Sequence, residues 1–183
     1  MVTVDGFPVA VSVSGPDKGP VVVMLGAAHH APGAYDALCQ RLHTAHLRTV
    51  VIGPDRRLTA KAVVGILDSL GVQWALLVGD RVGGELAWDL AASRMDRFIG
   101  LVVIDRGHPR VADMTGVVRD EDCPPVEMNT TALVSTPAAR AVARASQRYV
   151  YGDFRLVEML GRRNARESTA QLAAEIVLRT SSW

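Results

Sequence analysis

The chain has 183 residues and a formal net charge of +1, with 49% hydrophobic and 21% charged residues. That is one domain's worth of chain, at roughly 100–200 residues per domain, with ordinary globular composition and enough apolar content to exclude wholesale disorder. Cations and anions nearly cancel, 20 against 19, so binding of nucleic acid through bulk charge is not expected either.

The elements follow in chain order. Val2–Val4 and Phe7–Ser14 flank Asp5-Gly6, a two-residue turn that predicts an antiparallel hairpin. Residues 15–20 are turn formers. Val21–Leu25 is a continuous apolar run, expected to be a buried strand. Ala34–Ala45 carries Tyr35, Leu38 and Leu42 at helical spacing, and Arg48–Ile52 is a short strand closed by Gly53-Pro54. Thr59–Leu70 reads as a helix with Thr59 as N-cap and Gly71 just past its end. Trp74–Val78 is a second buried strand, and a helix runs from the following turn to about Met95. Leu101–Ile104, Thr131–Val134 and Phe154–Met159 are strands; Pro137–Arg148 and Glu167–Thr180 are helices. Between them, Gly107–Asn129 lacks a regular pattern.

Strand and helix alternate after the opening hairpin. The fold class is therefore α/β: a mostly parallel sheet flanked by helices on both faces, in one domain over 1–183. In such sheets the ligand crevice lies outside the carboxyl ends of the strands. The loops expected there are Gly26–Gly33, Gly79–Gly84, Asp105–Arg110 and Ser135–Thr136, joined by Gly161–Arg166.

The most informative stretch is Val78-Gly79-Asp80-Arg81-Val82-Gly83-Gly84. A strand enters a sharp turn with glycine two places before and two places after the centre, and a helix begins. This is the pattern of the G-x-S-x-G nucleophile elbow. The central residue is Arg81, which has no nucleophilic atom and stays protonated.

Here the chain resembles the α/β-hydrolase family, over most of its length. Val21–Gly26 is similar to the strand leading to the oxyanion loop, with Leu25-Gly26 where the family usually has His-Gly. The resemblance implies that Gly26, Ala27, His29, His30, Asp80, Arg81 and Val82 line the pocket, and that Gly79, Gly83 and Gly84 form the elbow turn. It also implies an acid after Thr131–Val134 and a histidine after Phe154–Met159. The sequence has Ser135-Thr136-Pro137 and Leu160-Gly161-Arg162-Arg163-Asn164 there instead. Nucleophile, acid and base are all replaced. The helical cap that relatives insert before the acid strand has only residues 106–130 to occupy, so a loop is expected.

The expectation is a non-catalytic member of the family, a pseudoenzyme that binds a small ligand or a protein partner. The alternative is a hydrolase of small esters using Asp105 and His108 as a rearranged acid/base pair. Arg81 is expected to pair with Asp80 or Asp105. Asp80, one place before the elbow centre, is the weaker candidate for a displaced nucleophile. Adjacent His29 and His30 point to opposite sides of an extended chain, so no metal site is read, and no cofactor. Cys39 is expected to be packed and Cys123 exposed; neither spacing suggests zinc or a disulfide framework. No signal peptide or membrane span is evident, so a cytoplasmic protein with no membrane or nucleic-acid partner is expected. An uncapped crevice favours cover by a partner or assembly into a homo-oligomer.

Overall fold

The computed structural model describes residues 1–26, 33–159 and 165–181. Seven strands form one sheet: β1 (Val11–Ser14), β2 (Val21–Leu25), β3 (Arg48–Ile52), β4 (Ala75–Asp80), β5 (Phe98–Ile104), β6 (Asn129–Val134) and β7 (Phe154–Glu158). Their order across the sheet is β1-β3-β2-β4-β5-β6-β7. Only β1 is antiparallel to its neighbour; every other pair is parallel. Five helices connect them: α1 (Asp36–Thr44), α2 (Ala60–Ser69), α3 (Val82–Ser93), α4 (Pro137–Ser146) and α5 (Ala165–Thr180).

Side-chain alternation along each strand divides the core into two layers. Leu76, Val78, Val102 and Ile104 pack with Leu38 and Leu42 of α1 and Leu172 and Ile176 of α5. Ala75, Leu77, Leu101 and Val103 pack on the other face with α2, α3 and α4, around Ile66, Trp88, Leu90 and Ala139. All six residues of β4 are buried. Full burial of one Val, Leu or Phe contributes about 1.5–3 kcal/mol, so the strand that carries the elbow is also the best anchored.

The helix ends are set by short-range chemistry. The Thr59 hydroxyl accepts the Ala62 N–H at 3.1 Å and Gly71 takes φ +68°, so the expected cap and stop of α2 are both present. Thr136 caps α4 in the same way through Ala139, ahead of Pro137 at the first helical position.

The N-terminal hairpin is smaller than the alternation suggests. Val2 and Pro8 form one antiparallel bridge around the turn, and β1 then leaves to pair with β3. Pro8 has no N–H with which to continue a ladder. Among the described residues, 105–128 contain no helix or strand, so the loop expected between β5 and β6 is present. No described helix is long and apolar enough to cross a membrane.

Candidate functional site at the elbow

The elbow lies at the carboxyl end of β4, between the neighbouring parallel strands β2 and β5. At the end of β4 the chain turns at Arg81, with φ +50° and ψ −107°, and α3 begins at the next residue. The Arg81 N–H donates to the Ile104 carbonyl at 3.1 Å, and its carbonyl accepts from the Gly84 N–H at 2.9 Å. A positive φ at a bulky residue is strained, and such strain collects at functional turns. The turn closes because its neighbours lack side chains. A Cβ on Gly79 would lie 2.5 Å from Ala87 Cβ and 2.6 Å from Gly84 Cα. A Cβ on Gly83 would collide with the Leu25 carbonyl at the end of β2. Gly84 has more room, facing the Arg106 side chain at 3.0 Å. The elbow is therefore centred on Arg81, the position the glycine spacing indicates.

The side chains at the elbow are engaged with one another. Asp80 is the last residue of β4 and is buried, and its Oδ2 accepts the Tyr35 hydroxyl at 2.8 Å. Arg81 is half-exposed and its Nη1 lies 3.5 Å from Asp80 Oδ1. The pairing expected of Arg81 is thus with Asp80. Asp80 itself is a strand residue below the turn, without the apex geometry that presents a nucleophile.

Asp105 immediately follows β5 and also has a positive φ, +52°. Its carboxylate accepts two hydrogen bonds from one residue, the Ser135 N–H at 2.7 Å and the Ser135 hydroxyl at 2.5 Å. Asp105 and His108 are therefore not brought together as an acid/base pair. His108 is fully buried and does not face the crevice. Its ring stacks on Tyr149 at 4.8 Å and meets Trp88 edge-on at 5.4 Å. The Arg110 N–H lies 3.2 Å from Nδ1 and the Pro124 carbonyl 2.9 Å from Nε2, an arrangement that fits a neutral ring with its proton on Nε2. Burial lowers the His108 pKa below its ordinary 6.5, with further lowering by Arg110 and Arg119, against the opposing Pro124 hydrogen bond and Asp120.

That shift carries a sign. The folded chain holds His108 neutral, while the unfolded chain protonates it as pH falls through about 6.5. Stability is therefore present above that range and is lost on acidification toward the lower, folded-state value. In denaturant titrations between about pH 7 and pH 5, wild type should lose more stability than His108→Gln. Equal slopes for the two proteins would remove His108 as the titrating group.

Beside the elbow lies a cavity of about 310 Å³, lined by Leu25, Gly26, Val82, Gly83, Leu86 and Arg119 among others. Its rim is an ion-pair network that sequence reading did not anticipate. Arg106 Nε donates to Glu85 at 3.1 Å, and Arg119 Nη2 donates to Asp89 at 3.1 Å. Burial raises the Asp89 pKa, and the Arg119 guanidinium opposes that rise. The network ties the loop after β5 to α3.

Several expectations fall elsewhere. Ala27, His29, His30, Gly161, Arg162, Arg163 and Asn164 lie outside the described residues. Among the described residues no group of three or more His, Cys, Asp or Glu is placed to hold a metal ion. Cys39 is packed, as expected. Cys123 is a correction: it is buried, 3% exposed, and burial pushes its thiol up to about 11. Trp88 is core, with its indole N–H donating to the Arg106 carbonyl at 3.2 Å.

By sequence, neither a protein-family model nor a curated protein matches the chain. By structure, many solved proteins do. A hydrolase from Pseudomonas aeruginosa PA01 superposes with a TM-score of 0.73 at 17% identity, covering 100% of this chain and 96% of that one. An N-acyl homoserine lactone degrading enzyme gives 0.74 at 16% identity, covering 98% of both chains. An enol-lactonase from Burkholderia xenovorans LB400 gives 0.69 at 14% identity, covering 95% of both. Sheet order, the strained turn at the end of β4 and these superpositions agree: the chain has the α/β-hydrolase fold.

Proposed function

We propose that this protein is a non-hydrolytic member of the fold, a pseudoenzyme that uses the cavity beside the Arg81 elbow to bind a small molecule or a protein partner. The observation that carries this reading is the retention of the strained apex, φ +50° and ψ −107°, with a guanidinium in place of a nucleophile. The other candidate groups point the same way. Asp105 is held by Ser135, and His108 is buried with both ring nitrogens within hydrogen-bond distance of backbone groups. A cytoplasmic protein without cofactor, metal, membrane or nucleic-acid partner belongs to the same reading, as does cover of the uncapped crevice by a partner or a second copy.

A second reading, hydrolysis of small esters or lactones, draws on the enzymes whose structures superpose and on the short Ser135–Asp105 hydrogen bond, 2.5 Å. It requires a base within reach of the crevice.

Hydrolysis of 4-nitrophenyl acetate, 4-nitrophenyl butyrate and an N-acyl homoserine lactone separates the two. Wild type, Arg81→Ser and Asp105→Ala should all stay at the buffer rate, each with native circular dichroism. Wild-type turnover that disappears in Asp105→Ala would overturn the proposal. In an Asp80→Asn background, where no buried carboxylate loses its guanidinium, Arg81→Gly relieves the positive φ and should raise stability by about 1 kcal/mol.

A further inference from the structure

A cavity of about 660 Å³, roughly twice the one beside the elbow, lies between α1 and the outer strand β1. One wall is Ala10, Ser12 and Ser14, three small residues alternating onto the same face of the strand. Ser14 sets that face toward α1, because its hydroxyl lies 3.4 Å from Nε2 of His43, near the end of the helix. The opposite wall is Tyr35, Asp36 and Cys39 at the start of α1, and Val51 contributes to the lining between them. Leucine-sized residues on β1 would fill this space; alanine and serine leave it open.

Behind the Ser14 wall a hydrogen-bonded cluster, whose Thr49 and His43 are not among the residues lining the cavity, fixes the Ser14 hydroxyl. Ser14 Oγ lies 3.0 Å from Thr49 Oγ1, and Thr49 Oγ1 lies 2.9 Å from His43 Nε2. Thr49 is fully buried. Ser12 supplies a hydroxyl further along the same wall. Asp36 is exposed and has no ion pair among the described residues. Burial raises the Cys39 pKa, so this wall is a neutral thiol rather than a thiolate. Mostly apolar lining, a few convergent polar groups and a volume of roughly 300–1,000 Å³ are the anatomy of a small-molecule site.

We infer that this groove binds a small, mainly apolar molecule with an uncharged hydroxyl head, seated against Ser12 and Ser14, and that the Asp36 carboxylate disfavours an anionic head. The groove shares Gly26, Ile52, Gly53 and Pro54 with the cavity beside the elbow, but its walls on β1 and α1 are its own, and the proposal stands whether or not Arg81 serves a ligand.

Octan-1-ol titrated into the ¹⁵N-labelled full chain tests it. Amide shifts should concentrate at residues 10–14, 35–39 and 51. Octanoate should bind more weakly. Ser12→Phe, filling the groove from the strand, should weaken octanol binding roughly tenfold or more. Cys39→Met fills it from the helix and covers the case in which Ser12→Phe fails to fold. Leu86→Phe, in the elbow cavity, should leave octanol binding unchanged. Shifts centred on residues 82–86, or no saturable shifts at all, would overturn the site. So would unchanged affinity in a folded groove variant. Octanoate binding as tightly as octanol would overturn the assignment of its head group.

Discussion

Gly83→Ala should destabilise the protein by about 3 kcal/mol, the upper end of what overpacking costs. The added methyl has nowhere to go. It meets the Leu25 carbonyl oxygen and carbon, and the Gly26 carbonyl oxygen at 2.9 Å. All of these are backbone, at the end of a central strand whose Met24 and Leu25 are only 2% exposed. Neither α3 nor β2 can shift without opening the core around Trp88 and Val23. For a domain of this length the loss corresponds to a fall of about 6–12 °C in Tm. Gly84→Ala is the internal control. Its methyl would face Arg106 Cβ and Cγ at 3.0 and 3.1 Å, a tight contact with the loop after β5 rather than a collision with the backbone of a central strand. Alanine also gains up to about 1 kcal/mol of helix propensity over glycine. Gly84→Ala should therefore cost about 1 kcal/mol at most, clearly less than Gly83→Ala. Thermal unfolding followed by circular dichroism decides the matter: similar Tm values for the two variants would mean that the elbow is not packed as described.

The same turn shows what the sequence could and could not reveal. The apex at Arg81 was readable, because close strand-to-helix passage needs small residues on both sides and the spacing of Gly79 and Gly83 marks the centre. The strand's end was not. Gly79 and Asp80 read as turn residues, yet both belong to β4, because a glycine inside the strand is what lets Ala87 and Gly84 approach it. The apolar runs Val21–Leu25 and Arg48–Ile52 matched β2 and β3 residue for residue, since buried parallel strands have nothing else to be. Sheet order is different in kind. The pairing of β1 with β3 rather than β2 depends on contacts between residues far apart in the chain, and no local pattern encodes it.

Side-chain commitments at the site were the least legible. Asp105 looked available because its partner, Ser135, is 30 residues away and is delivered by the neighbouring strand β6. Tyr35 reaches Asp80 across 45 residues, through the packing of α1 over the sheet. His108 sits in Gly-His-Pro, a loop with no periodicity, so neither its burial nor its stacking on Tyr149 has a sequence signature. Trp88 differs, because helical spacing after the elbow places it on the buried face of α3. The imidazole meets that indole edge-on, and so shares an environment which only the tryptophan announced.

Arg179→Met should cost about 2–3 kcal/mol, through lost hydrogen bonds to buried groups rather than through a lost charge pair. Arg179 lies near the end of α5, and its side chain is 5% exposed. Nε donates to the Thr131 hydroxyl at 2.6 Å and Nη2 to the Thr130 carbonyl at 3.0 Å. Both threonines are fully buried in β6. Nη1 reaches Asp153 at 2.8 Å, but that carboxylate is 67% exposed and water can take over its solvation. Removing the acid alone, in Asp153→Asn, should therefore cost less than about 1 kcal/mol, the range of an exposed pair. Arg179→Lys should resemble Arg179→Met, because a single ammonium cannot span three acceptors set in a fork. Chemical denaturation of the three variants separates the causes. If Asp153→Asn were as damaging as Arg179→Met, the charge pair would be the stabilising element. If only the arginine variants fail, α5 is held to the sheet by the fork on β6.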